Sequence, residues 1–499
     1  MPAPPGPEAV FSILTYLSIA TSFAGGIALF RLDGRAADRV LAAVTSAMVG
    51  LYVSGFALFT ASGMRPYHVP ILTSRYLGEV YGFIIDPMSA LVGLVVAVAG
   101  AAFLIYSIDY MSPGNRFHPV REGKGRFYGW MLVFVGATLS FIHSSTLLEM
   151  LMFFEVMSVA CWGVVSYYGT PASRRSAFKA LVYTHLGAAI GLYTAVGLCL
   201  LNLHTTALAS LGSLAAPLKL YVFVLILVAA AAKSAQFPFY SWLPDAMVAP
   251  TPASAFLHGA AMVEMGVFLL ARYVQFASPL PPQTYTALLA FLIPTTAVCV
   301  AMYPVQKDAK RLLAYSTIGE SMVMYAGLAY AVLGSRAGLQ ASVLQLFNHA
   351  YVKGLAFLVA GAFGYVLGTH SLERLKGFGR SSPLLAAAWG VALFGLAGIP
   401  PMGIFFGKLL IVSSMPDPAP AYLAPALILL IDSCVFFMVG IKCVQNLLRG
   451  GPPEGLGGSA GVPPLMKGAI VALILLSVLA TLVSLPLIRY VGFAGVSGS

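Results

Sequence analysis

The sequence contains fourteen apolar runs of about the length of a membrane span, and this feature restricts the chain to one kind of fold. A transmembrane helix needs about 20 mostly apolar residues. Within a bilayer, only helices and closed barrels satisfy their own backbone polar groups. We therefore predict an all-α polytopic membrane protein of about 14 transmembrane helices, whose runs lie near 9–30, 39–61, 86–108, 127–143, 145–168, 176–202, 218–243, 253–274, 285–304, 310–334, 339–367, 384–414, 420–446 and 466–489.

Composition excludes the common soluble classes. Apolar residues make up 59% of the 499 residues and charged residues only 9%, against about 25% in a soluble domain. The net charge of +11 does not predict nucleic-acid binding, because the basic residues lie singly or in small groups at the ends of apolar runs, where they act as membrane anchors. The five cysteines include no CxxC pair. We therefore expect no metal site and no cofactor in this chain.

The basic residues also predict an orientation. Connections after odd-numbered spans carry 18 Lys and Arg residues, and those after even-numbered spans, with the C-terminal tail, carry six. Loops rich in Lys and Arg stay in the cytoplasm, so we expect a multi-pass protein of the cell (inner) membrane with both termini outside. The first run lacks the basic segment and cleavage site of a signal peptide, and we expect it to remain in the protein.

Ionisable residues lie inside several apolar runs. Such a residue at mid-membrane costs about 2.5–3.5 kcal/mol on insertion scales and usually marks a polar interior or ion path. The alternative for each is a buried pair that only fixes helix packing, or, for Lys442, a side chain that extends to the interface. Glu149, Asp86 and Asp109 lie near span ends, and we expect them to be solvated. The intramembrane set is Lys233, Lys353, Lys408, Lys442, Glu155, Glu264, Asp432, His185, His258 and His349.

Two spans carry helix breakers beside a lysine. Pro238 follows Lys233 in span seven, and Pro400 and Pro401 precede Lys408 in span twelve. Broken helices five spans apart predict two inverted five-helix repeats, spans 4–8 and 9–13, with an ion route at mid-membrane. The predicted divisions of this single membrane domain are 1–126 (helices 1–3), 127–274 (first repeat), 285–446 (second repeat) and 466–489 (helix 14).

The intramembrane acids and bases favour a proton relay. Lys and Glu can both titrate near neutrality when burial opposes the charge and a neighbour supports it. A row of such groups can pass a proton in short steps. A sodium path is the alternative, because carboxylates and the carbonyls of broken helices can bind Na⁺.

Longer motifs resemble a known family, the antiporter-like, proton-conducting subunits of respiratory complex I, group 4 membrane-bound hydrogenases and Mrp-type cation/proton antiporters. The resemblance covers spans 3 to 12 and is strongest in the run at 232–272. Its motifs are AKSAQFPFYSWLPDAMVAPTPASAFLHGAAMVEMGVFLLAR (232–272), DPMSA (86–90), YSIDYM (106–111), KDAKRLLAYSTIGE (307–320), NHAYVKGLAFLVAG (348–361) and GIPPMGIFFGK (398–408).

The resemblance implies roles for individual residues. Glu155 is similar to the family's helix-five glutamate, and Lys233 to the lysine paired with it. Lys353 with His349, one helical turn apart, resembles the central relay. Lys408 resembles the second broken-helix base, which some members replace with Glu.

Span eight supplies the remaining candidates. His258 matches a helix-eight histidine, whereas Glu264 stands where many members have Lys or a small residue. Gln345 likewise stands where some members have a second histidine. If span eight stays helical, Glu264 faces different neighbours from His258, and we expect it to lie among Lys233 and Lys353. The proton-translocation candidates are Glu155, Lys233, His258, Glu264, His349, Lys353 and Lys408.

Two functions follow from the resemblance. The first is a proton-translocating membrane subunit of a redox-driven pump, complex I-like or hydrogenase-like, with antiporter-like and quinone-site or hydrogenase-like partner subunits that hold the redox centres. The alternative is a subunit of a Mrp-type Na⁺/H⁺ antiporter. An intramembrane enzyme is not expected, because no nucleophile–base set or HExxH motif is present. A purely structural scaffold would not need so many charges at membrane depth.

Overall fold

The computed structural model describes residues 6–417, 419–451 and 461–494, and most of these residues are helical. The α-helices in chain order are α1 Pro7–Leu29, α2 Gly34–Ala61, α3 Pro87–Tyr110, α4 Lys124–His143, α5 Leu147–Val165, α6 Pro171–Gly187, α7 Thr194–Leu203, α8 Ala216–Lys233, α9 Trp242–Asp245, α10 Thr251–Gly259, α11 Met262–Ala277, α12 Gln283–Met302, α13 Ala309–Ala331, α14 Arg336–Leu367, α15 Pro383–Ala397, α16 Gly403–Ser413, α17 Ala424–Leu448 and α18 Pro464–Ile488. A π-helical segment, Ala188–Tyr193, joins α6 to α7.

Helices occupy all of the predicted apolar runs, and the prediction of a polytopic helical membrane protein is confirmed. Twelve helices in the described ranges are long and apolar enough to cross a membrane, or thirteen if a bent pair counts as one span. Helix α13 is not among the twelve because Ser316, Thr317 and Glu320 lower its apolar character. The exact number of crossings and the two inverted repeats stay predictions.

One element was not predicted. Strands β1 (Tyr67–Ser74) and β2 (Gly78–Ile85) form an antiparallel hairpin between α2 and α3, where the sequence analysis predicted no secondary structure. Alternating β-branched and aromatic residues around a glycine, as in this segment, are typical of a hairpin. The backbone N–H of Gly82 donates to Glu149 Oε2 at the start of α5, so the hairpin covers one end of the helix bundle.

Burial divides the helices into a centre and a periphery. In their most apolar 18-residue windows, 251–277 (α10 and α11) is 100% buried and α14 is 94% buried, whereas α2, α12, α17 and α18 are only 33% buried. Peripheral helices present large apolar side chains outward, as lipid contact requires. The core therefore consists of α10, α11, α13 and α14, with α3 and α4 beside them.

The two predicted helix breaks are present. Helix α8 ends at Lys233, before Pro238. Five residues, 398–402, separate the end of α15 from the start of α16. Other groups satisfy the freed carbonyls, as they must at membrane depth. Trp242 Nε1 donates to Ala232 O at 3.0 Å, and Lys408 Nζ donates to Leu396 O at 2.9 Å.

A third break separates α10 from α11 at residues 260–261, without a proline. The expectation that span eight stays helical between His258 and Glu264 is therefore wrong. Glycine at 259 permits close packing here, because a Cβ would lie 3.0 Å from Ala350 O on α14. The break places Glu264 in the first turn of α11, where the helix dipole favours a carboxylate.

Candidate functional site

Two facing stripes of polar residues lie along α13 and α14 in the centre of the bundle. Helix α14 contributes Gln345, His349 and Lys353, each four residues from the next and therefore on one helix face. Helix α13 contributes Ser316, Thr317 and Glu320. All six side chains are buried. With Lys233, His258, Glu264 and Lys408, these residues are called the polar row.

Glu264 and His349 form the central contact of the polar row. His349 Nδ1 and Glu264 Oε1 are 2.7 Å apart, and both side chains are fully buried. The sequence analysis expected Glu264 to have lysine partners, but its direct partner is this histidine. Each residue also has one free buried atom, since neither Glu264 Oε2 nor His349 Nε2 has a hydrogen-bond partner among the described residues.

Lys353 and His258 each contact a hydroxyl group on α13. Lys353 Nζ donates to Ser316 Oγ at 2.6 Å, and His258 Nδ1 lies 3.0 Å from Thr317 Oγ1. Serine and threonine hydroxyls both donate and accept. They can therefore bridge two proton-carrying side chains without holding a fixed charge.

Lys408 forms the far end of the polar row at the second helix break. Its Nζ donates to Glu320 Oε1 at 2.8 Å, Leu396 O at 2.9 Å and Ser433 Oγ at 2.9 Å. Gln345 Nε2 donates to the other oxygen of Glu320 at 2.7 Å. Glu320 was absent from the sequence-based candidates although it lies within the apolar run 310–334, which is the same signal that identified the others.

Lys233 and Glu155, predicted as a pair, do not make a direct ion pair in the described ranges. Lys233 Nζ donates to Phe154 O at 2.7 Å and Ser158 Oγ at 2.9 Å, both on α5. Glu155 Oε1 lies 3.0 Å from His185 Nδ1, a partner that the sequence analysis had left open.

Two acids that we expected to be solvated are buried instead. Asp86 caps α3 by accepting from Ser89 N, and it pairs with Arg272 of α11. Arg272 was counted as a loop residue, but it lies inside α11 and is fully buried. Glu149 is buried beneath the hairpin. The ion pair of Asp86 and the hydrogen bonds of Glu149 offset the cost of removing these carboxylates from water.

A cavity of about 480 Å³ opens on the face predicted to be cytoplasmic. Its lining includes Lys310, whose Nζ donates to Ala249 O at 2.7 Å. Burial lowers the pKa of His118, with the Lys310 charge adding to the effect. Burial lowers the pKa of His370 well below its usual value. Both histidines are therefore neutral at physiological pH.

The polar row can carry protons but shows no site for a metal. In the described part of the chain, no group of three or more His, Cys, Asp or Glu residues is placed to hold a metal ion. Acids, amines, imidazoles and hydroxyls alternate along the row, and each can gain and lose a proton or relay one. The chemistry that this arrangement supports is stepwise proton transfer.

Two family models match the sequence. Residues 144–430 match "NADH:quinone oxidoreductase/Mrp antiporter, TM", and residues 77–128 match "NADH-Ubiquinone oxidoreductase (complex I), chain 5 N-terminus". The first match includes every residue of the polar row. Together they agree with the resemblance seen in the motifs.

Similar proteins include Na⁺/H⁺ antiporter subunits. Subunit A1 of Staphylococcus haemolyticus is 34% identical over 352 residues, which are 67% of this chain and 42% of the relative. Subunit A1 of Staphylococcus aureus is 29% identical over 402 residues, 75% of this chain and 49% of the relative. The chain thus spans less than half the length of these curated relatives.

Solved structures share the fold. The Mrp complex from a Dietzia species matches with a TM-score of 0.82 at 26% identity, covering 97% of this chain and 53% of that one. The membrane-bound sulfane sulfur reductase, an archaeal respiratory membrane complex, matches with a TM-score of 0.79 at 20% identity, covering 97% and 96%. At that identity the second likeness supports the fold alone.

Proposed function

Because the chain belongs to the NADH:quinone oxidoreductase/Mrp antiporter transmembrane family, we propose that it is an ion-conducting membrane subunit of a Mrp-type Na⁺/H⁺ antiporter. The relatives named as Na⁺/H⁺ antiporter subunits and the likeness to the Mrp complex favour this function over the redox-driven pump. Membership of a multisubunit membrane assembly is supported by the likeness to the Mrp complex.

The observation that carries the proposal is the set of buried acid–base contacts between α13, α14 and their neighbours. Glu264–His349 and Glu320–Lys408 are buried acid–base contacts, and Lys353 lies one turn along α14 from His349. In our proposal, protons pass between Lys233 and Lys408 by short transfers among these side chains. Lys408 bonds to Glu320, which favours protons over Na⁺ as the ion at this end of the row, because a cationic partner opposes a bound cation.

The Glu155–His185 contact supports the presence of a partner subunit. The His185 side chain is 57% exposed and that of Glu155 is 22% exposed, although both lie on helices at membrane depth. A charged group facing lipid is costly. Another membrane subunit covering this face would remove that cost, and Glu155 would then receive or deliver protons at the subunit boundary.

The test compares Lys233→Ala and Glu155→Gln with Lys467→Ala, which removes a lysine from an exposed position on α18. Each variant is expressed with its neighbouring subunits in bacteria lacking Na⁺/H⁺ antiporters. Antiport is followed in everted vesicles by the recovery of a pH-sensitive dye after Na⁺ addition. We expect loss of antiport in the first two variants with normal co-purification of subunits, and normal antiport in Lys467→Ala. Full activity of both Lys233→Ala and Glu155→Gln would refute the proposed function.

A further inference from the structure

A second, smaller cavity lies beside α17, outside the polar row. It measures about 190 Å³ and is lined by Tyr303, Leu372, Glu373, Val439, Cys443 and Asn446, among others. Its walls come from the connections after α12 and α14 and from the second half of α17. These connections carry Lys307, Arg374 and Lys376, so the cavity opens on the face that we predict to be cytoplasmic.

The cavity wall leads directly to a buried acid. Tyr303 lines the cavity, and its hydroxyl donates to Asp432 Oδ1 at 2.6 Å. Phe436 packs edge-on against the Tyr303 ring. Asp432, Phe436, Val439 and Cys443 recur at intervals of three or four residues, so they occupy one face of α17. One helix face therefore connects the open cavity to a carboxyl group that is 2% exposed.

A glycine on α13 makes room for the contact between Tyr303 and Asp432. A Cβ at Gly319 of α13 would collide with both the Tyr303 hydroxyl and Asp432. The absence of a side chain at 319 therefore allows the pair to approach α13. The next residue of α13 is Glu320, the acid that binds Lys408.

Asp432 also lies next to the second broken helix. Its neighbour Ser433 accepts a hydrogen bond from Lys408 Nζ at 2.9 Å. The acid is thus placed between the cavity and the Glu320–Lys408 contact, and the proposed function assigns it no role.

We propose that this cavity, with Tyr303 and Asp432, is a proton port that connects the cytoplasm with the Glu320–Lys408 end of the polar row. A proton from water in the cavity reaches the Asp432 carboxyl, with the Tyr303 hydroxyl giving up its own proton and taking another. The Asp432 carboxyl then passes the proton on to Glu320 and Lys408, and the net reaction is transfer of one proton from the cavity to the polar row. The inference rests on the proposed function and adds a second route into the row.

Two pairs of variants test the port. Asp432→Asn keeps an oxygen that can accept from Tyr303 but cannot carry a proton, and Asp432→Glu restores a carboxyl. Val439→Trp fills the cavity, whereas Met438→Trp adds the same bulk on an exposed position of the same helix. We expect antiport to fall about tenfold or more in Asp432→Asn and severalfold in Val439→Trp, with Asp432→Glu and Met438→Trp close to wild type.

Accessibility supplies a readout that does not depend on transport. In a Cys434→Ser background, a water-soluble thiol reagent applied from the cytoplasmic side should modify Cys443, and Val439→Trp should prevent the modification. Unmodified Cys443 in the background protein, or normal antiport in either Asp432→Asn or Val439→Trp, would overturn the port. Lys233→Ala measured in parallel distinguishes failure of the port proposal from failure of the proposed function. If Lys233→Ala loses antiport while the port variants do not, the proposed function stands without the port. Normal antiport in both Lys233→Ala and Glu155→Gln would refute that function as well.

Discussion

Replacing Lys408 with methionine should show how much stability one buried charge contributes at the second helix break. The ammonium group binds Glu320, the carbonyl of Leu396 and the hydroxyl of Ser433. Methionine fills a similar volume but leaves Glu320 with Gln345 as its remaining partner. Breaking a buried ion pair by removing one partner costs about 3–5 kcal/mol, and we expect a loss of that size for Lys408→Met.

The double variant Lys408→Met/Glu320→Gln should be more stable than Lys408→Met alone. Glutamine removes the uncompensated charge, and the main remaining penalty is the unsatisfied Leu396 carbonyl, about 1–3 kcal/mol. The second substitution should therefore recover about 2 kcal/mol relative to Lys408→Met. Glu320→Gln alone should destabilise the protein, because it leaves the Lys408 charge without its acid, so the two sites should be coupled.

Denaturation in detergent provides the measurement. The purified subunit assembly is unfolded with increasing SDS and followed by circular dichroism, with Lys442→Met as the control for the same change at an exposed site. An exposed substitution should stay within about 0.5 kcal/mol of wild type. If Lys408→Met matched Lys442→Met, or if the double variant were less stable than Lys408→Met, the Glu320–Lys408 pair would not be the main support of the break.

Three further outcomes are expected. Cysteine at position 122 should react with an impermeant label only from the cytoplasm and cysteine at 213 only from outside, and reversed labelling would show that the predicted orientation is wrong. Glu264→Gln, which keeps an acceptor for His349, should retain the stability that Glu264→Leu loses, about 1–3 kcal/mol in the same SDS titration, and equal loss in both would contradict the observed contact. Because His370 is neutral when folded and titrates near pH 6.5 when unfolded, its contribution to stability is complete above pH 6.5 and declines below it. Between pH 7.5 and 5, His370→Gln should therefore lose less stability than wild type, and identical pH dependence would refute this.

Local sequence pattern was sufficient to predict the membrane helices and most of the polar row, but the hairpin between α2 and α3 was not predicted. Apolar length located the helices, because a bilayer imposes one length on every span. Proline beside lysine located two of the breaks. The same criterion of a charge inside an apolar run applied to Glu320, which could have been found from the sequence. The third break, at residues 260–261, could not, because it has no proline and depends on how α10 packs against α14.

The sequence by itself determined that this chain is a helical membrane protein with acids and bases at membrane depth, since both properties follow from composition along the chain. Only the tertiary structure decided which of these groups touch. Glu264 binds His349 rather than a lysine, and Glu155 binds His185. Asp86 and Arg272 form a buried ion pair. Partners of this kind come from helices far apart in the chain. Their pairing depends on how the helices pack and where they break, and periodicity within one helix carries no information about either.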